Sequence, residues 1–107
     1  MEPQWIDLGA VNEIPAADEG GRYVVHETRP YAVWRFADGA VRVMDDTCPH
    51  AGASLSAGCF DQETSCVICP LHGWTFHRDH GRCPDNPQIS VKVYKTRIVE
   101  GQVMARL

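Results

Sequence analysis

The sequence predicts an all-β protein that folds as an antiparallel sandwich. Apolar and polar residues alternate with a period of two, the pattern of strands, in five segments: residues 22–27, 31–36, 41–44, 88–99 and 102–106. Turn-forming dipeptides separate these segments, and no stretch shows a helical period of useful length. Successive strands joined by turns pair antiparallel, so we expect packed sheets with connecting loops at one tip.

The first three segments predict strands that follow one another closely. The dipeptide Arg29-Pro30 is expected to separate the first two strands. Asp38-Gly39 predicts a two-residue hairpin in which both positions take positive φ. Aromatic side chains on strands are more often buried than exposed, and three are therefore assigned to the core: Trp5, Trp34 and Phe36.

Between residues 47 and 76 the predicted pattern changes to loop, hairpin, loop. Two short strands, 58–60 and 65–68, are expected on either side of a turn at Asp61, and this hairpin would hold the two loops next to each other. Cys59 and Cys66 are expected to lie near each other across the hairpin as small buried thiols that stay reduced. The last two strands are expected to turn at residues 100–101, Glu-Gly.

Each of the two loops contains one cysteine and one histidine. Residues 48–50 read Cys-Pro-His and residues 69–72 read Cys-Pro-Leu-His, with 18 residues between the motifs. This order matches a 2Fe-2S cluster in which the two cysteines bind one iron and the two histidines bind the other. Two neutral imidazoles in place of two thiolates make reduction easier, so a one-electron carrier is indicated. The predicted ligands are Cys48, His50, Cys69 and His72.

A structural zinc site is the main alternative, because two thiolates and two imidazoles also form a closed tetrahedral zinc site. Zinc fingers usually take both cysteines from one knuckle and both histidines from a later segment, whereas here the two types are interleaved. Cys66 and Cys69 imitate a zinc knuckle, but no second knuckle follows. The order therefore favours the cluster, and a zinc-stabilised interaction domain remains the alternative from another class.

The motifs extend beyond the four ligands. Residues 48–55 read Cys-Pro-His-Ala-Gly-Ala-Ser-Leu, residues 69–76 read Cys-Pro-Leu-His-Gly-Trp-Thr-Phe, and Gly81 and Pro87 follow. These segments resemble the two cluster loops and the proline-containing third loop of the Rieske ferredoxin family, and the resemblance fades before about residue 20. It implies a Rieske-type antiparallel β-sandwich with a cluster-binding subdomain of two loops and a hairpin, at about residues 46–87. It also implies one Rieske-type 2Fe-2S cluster per chain.

The resemblance implies an electron carrier and not an enzyme. The expected function is a soluble ferredoxin that transfers single electrons from a reductase to a terminal oxygenase, so its partners would be protein redox partners. Residues 89–101 are also similar to nitrite reductase small subunits, which makes the small Rieske subunit of a larger oxidoreductase the alternative.

Two departures from the family bear on the redox potential. In the branch that belongs to bc1 complexes a disulfide ties the cluster loops together, but the matching positions here are Ala53 and Leu71. The serine that donates a hydrogen bond to a bridging sulfide in that branch is replaced by Trp74. Without this donor we expect the low-potential end of the Rieske range.

Length and charge exclude other classes of function. A chain of 107 residues predicts one domain, residues 1–107, and leaves no room for a catalytic iron domain. His77 and His80 lie in a polar turn and are expected to be solvated. A net charge of −4 argues against nucleic acid and favours a basic protein partner. With no apolar run near ~20 residues and no signal peptide, we expect no membrane contact and a cytoplasmic location.

Overall fold

The computed structural model describes residues 4–50 and 52–107. Residues 1–3 of the predicted domain and Ala51 of the first predicted loop lie outside the described residues. The strands are β1 Trp5–Ala10, β2 Arg22–His26, β3 Arg29–Arg35, β4 Val41–Asp45, β5 Cys59–Asp61, β6 Cys66–Ile68, β7 Thr75–His77, β8 Arg82–Cys83, β9 Asn86–Ser90, β10 Val93–Tyr94, β11 Thr96–Val99 and β12 Gln102–Arg106. The described residues also form three short 3-10 helices: Val11–Glu13, Ala17–Glu19 and Leu55–Ala57. Within the described chain, no helix has the length and apolar character needed to span a membrane.

The strands form antiparallel sheets, and the predicted all-β class is confirmed. The outer sheet has the order β1-β12-β11, and the central sheet has the order β10-β4-β3-β2. A small sheet, β5-β6-β7, connects the two segments that carry the predicted ligands, and β8 pairs with β9. The β5–β6 hairpin therefore brings residue 59, after the first loop, next to residue 68, before the second.

Strand β3 of the central sheet is buried on both faces. Successive side chains of a strand point to opposite faces, so β3 directs Tyr31 and Val33 to one side and Ala32 and Trp34 to the other. Tyr31 and Val33 pack in a core with residues of the outer sheet, including Val103. Ala32 and Trp34 pack in a second core that contains residues of the small sheet and of both cysteine loops. The region with the predicted ligands thus packs against one face of the central sheet.

The predicted turn at residues 100–101 is confirmed as a two-residue hairpin, but the hairpin predicted at residues 38–39 is not, and another occurs at residues 27–28. Glu27 and Thr28 have φ of 50° and 68° and connect β2 to β3, so Arg29 and Pro30 lie within β3 and the predicted break at these residues is wrong. The turn at residues 100–101 has the same geometry, with φ of 50° and 77°. At residues 38–39 only the glycine has positive φ, and the Phe36 amide bonded to the Ala40 carbonyl closes a wider turn.

Other differences arise at the ends of the chain. Strand β1 is not predicted from the sequence. It pairs with β12, and the register of this pairing shifts between Asp7 and Ala10. The predicted strand 88–99 is divided into three, β9, β10 and β11.

Trp34 and Phe36 are buried as expected, but Trp5 is only partly buried. The guanidinium groups of Arg97 and Arg106 lie 4.1 and 5.6 Å from the centre of the Trp5 ring, which explains why this edge residue needs no place in the core.

Candidate metal centre

The first cysteine loop is a short closed loop after β4. The Cys48 amide donates a hydrogen bond to the Ala53 carbonyl at 2.9 Å, and the Gly52 amide donates back to the Cys48 carbonyl at 2.8 Å. Gly52 has a φ of 73°, which glycine adopts without steric cost. The backbone therefore returns on itself with Cys48 at the base of the loop and His50 within it.

The second cysteine loop has the same construction. The Cys69 amide donates to the Trp74 carbonyl at 2.7 Å, five residues ahead as in the first loop, and Gly73 takes the position equivalent to Gly52, with a φ of 71°. His72 also has a φ of 71°, an unfavourable conformation for a residue with a Cβ. This left-handed turn places His72 at the exposed end of the loop. A glycine four residues after each cysteine is visible in the sequence and indicates the left-handed turn in each loop.

The four predicted ligands form a buried pair and an exposed pair. Cys48 and Cys69 are each 1% exposed and belong to the same core as Trp34. His50 and His72 are exposed, and their ring centres lie 5.8 Å apart. The thiols therefore lie inside the fold and the imidazoles lie at the solvent boundary.

The two thiols interact with each other. Burial raises the pKa of the Cys69 thiol, the Leu71 amide opposes this rise, and the adjacent Cys48 thiol adds to it. Metal ligation requires a thiolate, so metal binding at Cys69 would release the proton of its thiol. Among the described residues, no group of three or more His, Cys, Asp or Glu side chains is arranged around a single metal ion.

Trp74 contacts the first loop from the second. Its ring stacks on the His50 ring with the centres 3.8 Å apart and an angle of 15° between the planes. The sequence identified Trp74 only as the replacement of a serine donor, and its contact with a predicted ligand is new information from the structure. The second loop therefore contributes to the orientation of the first loop's histidine.

The surface around the histidines is apolar and uncharged. Pro49, Pro70 and Leu71 are exposed. Leu71, a large apolar residue, is 46% exposed. Apart from the histidines, residues 47–57 and 69–77 contain no ionisable side chain other than cysteine. The acidic excess of the chain therefore lies outside the two cysteine loops.

The remaining cysteines are unpaired and differ in exposure. Cys66 is buried, and burial raises the pKa of its thiol, whereas Cys59 is exposed. Cys59 pairs with Ile68 and Cys66 pairs with Asp61, so the two cysteines are offset by two residues across the hairpin. The expectation that both are buried is therefore wrong for Cys59, whose side chain lies on the edge strand β5 of the small sheet.

The two histidines that follow β6 form a pair of their own. The His77 and His80 rings stack with centres 4.2 Å apart. The Nδ1 atoms accept the backbone amides of Asp79 and Arg82, at 3.1 and 3.2 Å. Burial and the neighbouring His80 lower the pKa of His77. His80 is exposed as expected, but His77 is half-buried in β7 and is not a solvated loop residue.

Comparison with known proteins agrees with this geometry. Residues 4–95 match the sequence profile of the Rieske [2Fe-2S] domain. The anthranilate 1,2-dioxygenase ferredoxin subunit of Burkholderia cepacia is 38% identical over 101 residues, which cover 94% of this chain and 89% of that protein. Among longer relatives, this chain spans 17% of the cholesterol 7-desaturase of Hemicentrotus pulcherrimus, to which it is 35% identical over 83 residues.

Solved structures share the fold over nearly the whole chain. A protein described as an NADH-dependent nitrite reductase small subunit from Mycobacterium tuberculosis superposes with a TM-score of 0.87 at 26% identity, covering 98% of this chain and 96% of that one. A chain in the complex of reduced oxygenase and oxidized ferredoxin in carbazole 1,9a-dioxygenase superposes with a TM-score of 0.81 at 28% identity, covering 98% and 94%.

The chain belongs to the Rieske [2Fe-2S] domain family. Its cofactor is a Rieske-type 2Fe-2S cluster. The predictions of family, fold class and cofactor are confirmed, and the zinc alternative is excluded by the family to which the chain belongs.

Proposed function

We propose that Cys48 and Cys69 bind one iron of the cluster and that His50 and His72 bind the other. The observation that carries this assignment is the division of the four side chains into a buried pair of thiols and an exposed pair of imidazoles. The donor set fits the cofactor, because a Rieske centre needs two thiolates on one iron and two imidazoles on the other. When bound, the cluster accepts and releases one electron. Residues at about 46–87 would form the cluster-binding subdomain.

The protein would act as a ferredoxin that carries single electrons from a reductase to a terminal oxygenase. Its similarity to the ferredoxin subunit of anthranilate dioxygenase, over 94% of this chain and 89% of that protein, supports this proposal. The exposed histidines would form the exit for the electron, with Leu71 and the two prolines beside them as the contact surface. Unpaired cysteines throughout the described chain favour a reducing compartment, the cytoplasm.

A second candidate is the small Rieske subunit of a larger oxidoreductase. The superposition on the nitrite reductase small subunit, with a TM-score of 0.87, favours it. The two candidates differ in the lifetime of the complex, because a ferredoxin must dissociate from its partner after each electron transfer. Size-exclusion chromatography of the native protein from its own cells separates them, since a permanent subunit elutes with its partner and a ferredoxin elutes alone.

Spectroscopy tests the ligand assignment. The purified protein should be red-brown and give a reduced-state electron-spin-resonance signal with a low average g value. Cys48→Ser and Cys69→Ser should abolish this signal, because each thiolate is a ligand and metal binding is coupled to loop folding. Cys59→Ser should retain it as the control. A full signal in Cys69→Ser would show that the assignment is wrong.

Electron-transfer kinetics test the contact surface. Leu71→Asp should slow reduction of the cluster by the partner reductase, because it places an unpaired charge at the centre of the contact. Ile98→Asp is a matched control, because Ile98 is 47% exposed, about the same as Leu71, and lies in the outer sheet. Since neither cysteine loop carries a fixed charge, the Leu71→Asp effect should persist at high salt. Equal rates for the two variants would place the contact on another face.

A further inference from the structure

Asp46 is a buried carboxylate directly before the first cysteine loop. Asp46 is only 2% exposed, and each of its two carboxylate oxygen atoms accepts a hydrogen bond. Oδ2 accepts the Ser54 hydroxyl at 2.6 Å, and Oδ1 accepts the Ser56 amide at 2.8 Å. The Asp46 carbonyl accepts the Leu55 amide at 2.7 Å. Asp46 therefore receives three hydrogen bonds from the segment in which the loop ends.

These contacts close the loop at its base. The chain leaves Asp46, passes through Cys48 and His50, and returns to Asp46 at Ser54. A bridge between Thr47 and Ser54 joins the two sides of the loop immediately above the carboxylate. The Asp46 amide also donates to a carbonyl of the central sheet, that of residue 30, at 3.2 Å. Asp46 thus joins the base of the closed loop to the central sheet by a hydrogen bond.

Among the residues that the structure describes, no cation balances the charge of Asp46. Within residues 4–50 and 52–107, the ion pairs involve other carboxylates, and Asp46 is in none of them. The preceding residue differs, because Asp45 is partly exposed, lies 3.8 Å from Arg29 and accepts the Tyr94 hydroxyl at 2.6 Å. A buried charge without a counter-ion acts over a longer distance than an exposed and paired charge, since less solvent screens it.

We infer that Asp46 is a positioning residue that closes the first cluster loop, and that its buried charge lowers the reduction potential of the cluster. The inference rests on the proposed ligation by Cys48 and His50. Reduction adds one electron to a group two residues from a fixed negative charge, which disfavours the reduced form. The Ser54 hydroxyl and the Ser56 amide offset part of that charge, and their removal would strengthen its effect.

Asp46→Asn tests both parts of the inference in the cluster-containing protein. Asparagine keeps the shape and one acceptor oxygen but removes the charge. At a solution potential where the wild-type protein is half reduced, the variant should be clearly more than half reduced, and it should lose its cluster faster in the presence of an iron chelator. Asp45→Asn is the control and should shift the reduced fraction less. An unchanged reduced fraction in Asp46→Asn, or an equal shift in Asp45→Asn, would overturn the inference.

Ser54→Ala separates charge from loop disorder. It removes a donor and leaves the carboxylate in place, so the reduced fraction at the same solution potential should fall below half, opposite to Asp46→Asn. A shift of both variants in the same direction would show that a loosened loop, and not charge, is responsible. If Asp46→Asn takes up no cluster while Asp45→Asn does, the loop-closing role is supported and Ser54→Ala alone decides the role of the charge.

The ligand variants distinguish failure of this inference from failure of the proposed function. If Cys48→Ser keeps the Rieske spectrum, the ligand assignment itself has failed. If Cys48→Ser loses the spectrum while Asp46→Asn leaves the reduced fraction unchanged, only the role of Asp46 has failed.

Discussion

Gly58→Ala should destabilise the protein at the point where the bases of the two cysteine loops meet. A Cβ on Gly58 would overlap the Ile68 carbonyl oxygen and would lie 3.1 Å from the Ile68 carbonyl carbon and 3.2 Å from the Leu55 carbonyl oxygen. Ile68 immediately precedes Cys69, and Leu55 follows the first loop, so relief of the overlap has to move the backbone beside a proposed ligand. Overpacking typically costs about 1–3 kcal/mol, and backbone neighbours place this case near the upper end.

Urea unfolding followed by far-UV circular dichroism measures this cost. With a slope of about 1.5 kcal/mol per molar urea, a loss of about 2–3 kcal/mol lowers the midpoint by about 1.3–2 M. Cluster content, read from visible absorption, should fall in parallel. Gly101→Ala is the control: it has a φ of 77° and no atom within 4 Å of a new Cβ, so it should cost only about 1 kcal/mol of backbone strain and leave the cluster intact. A Gly58→Ala protein with the wild-type midpoint and full cluster content would refute the reasoning.

Three further substitutions test the core, an ion pair and the histidine pair. Phe76→Ala should lower the free energy of unfolding by about 3–5 kcal/mol, because the Phe76 side chain is fully buried in the core that holds the proposed cysteine ligands, and urea unfolding measures this loss. A hydrogen bond from Arg78 lowers the pKa of Asp38 to about 2. The stability that this pair contributes is therefore complete above the ordinary pKa of a carboxyl group and is lost as the pH falls toward about 2. The difference in melting temperature between wild type and Asp38→Asn should therefore shrink between about pH 5 and pH 2, and a constant difference would contradict the ion-pair interpretation. His80→Gln should raise the pKa of His77 toward its ordinary value, as read by nuclear magnetic resonance, and an unchanged value would assign the whole effect to burial.

The sequence by itself determined the class of fold and the chemistry of the site. Alternation with a period of two is a local property, so the strands at 22–26 and 41–45 could be predicted from the residues alone. Ligand type is equally local, because one thiol and one imidazole within four residues specify which atoms each loop offers. The closed cysteine loops are also encoded locally, by glycines at positions 52 and 73 that accept positive φ.

Only the tertiary structure decided which segments meet and which faces are buried. The hairpin of β5 and β6 joins two motifs that lie 18 residues apart, and Trp74 comes to stack on His50 although no sequence pattern relates them. The alternating pattern of β3 is typical of a strand with one buried face. Both of its faces are nevertheless covered, because the outer sheet and the cysteine loops pack on opposite sides. The Glu27-Thr28 turn takes left-handed geometry without glycine, since the pairing of β2 with β3 offsets its cost. These features depend on contacts between distant residues, which local propensity does not contain.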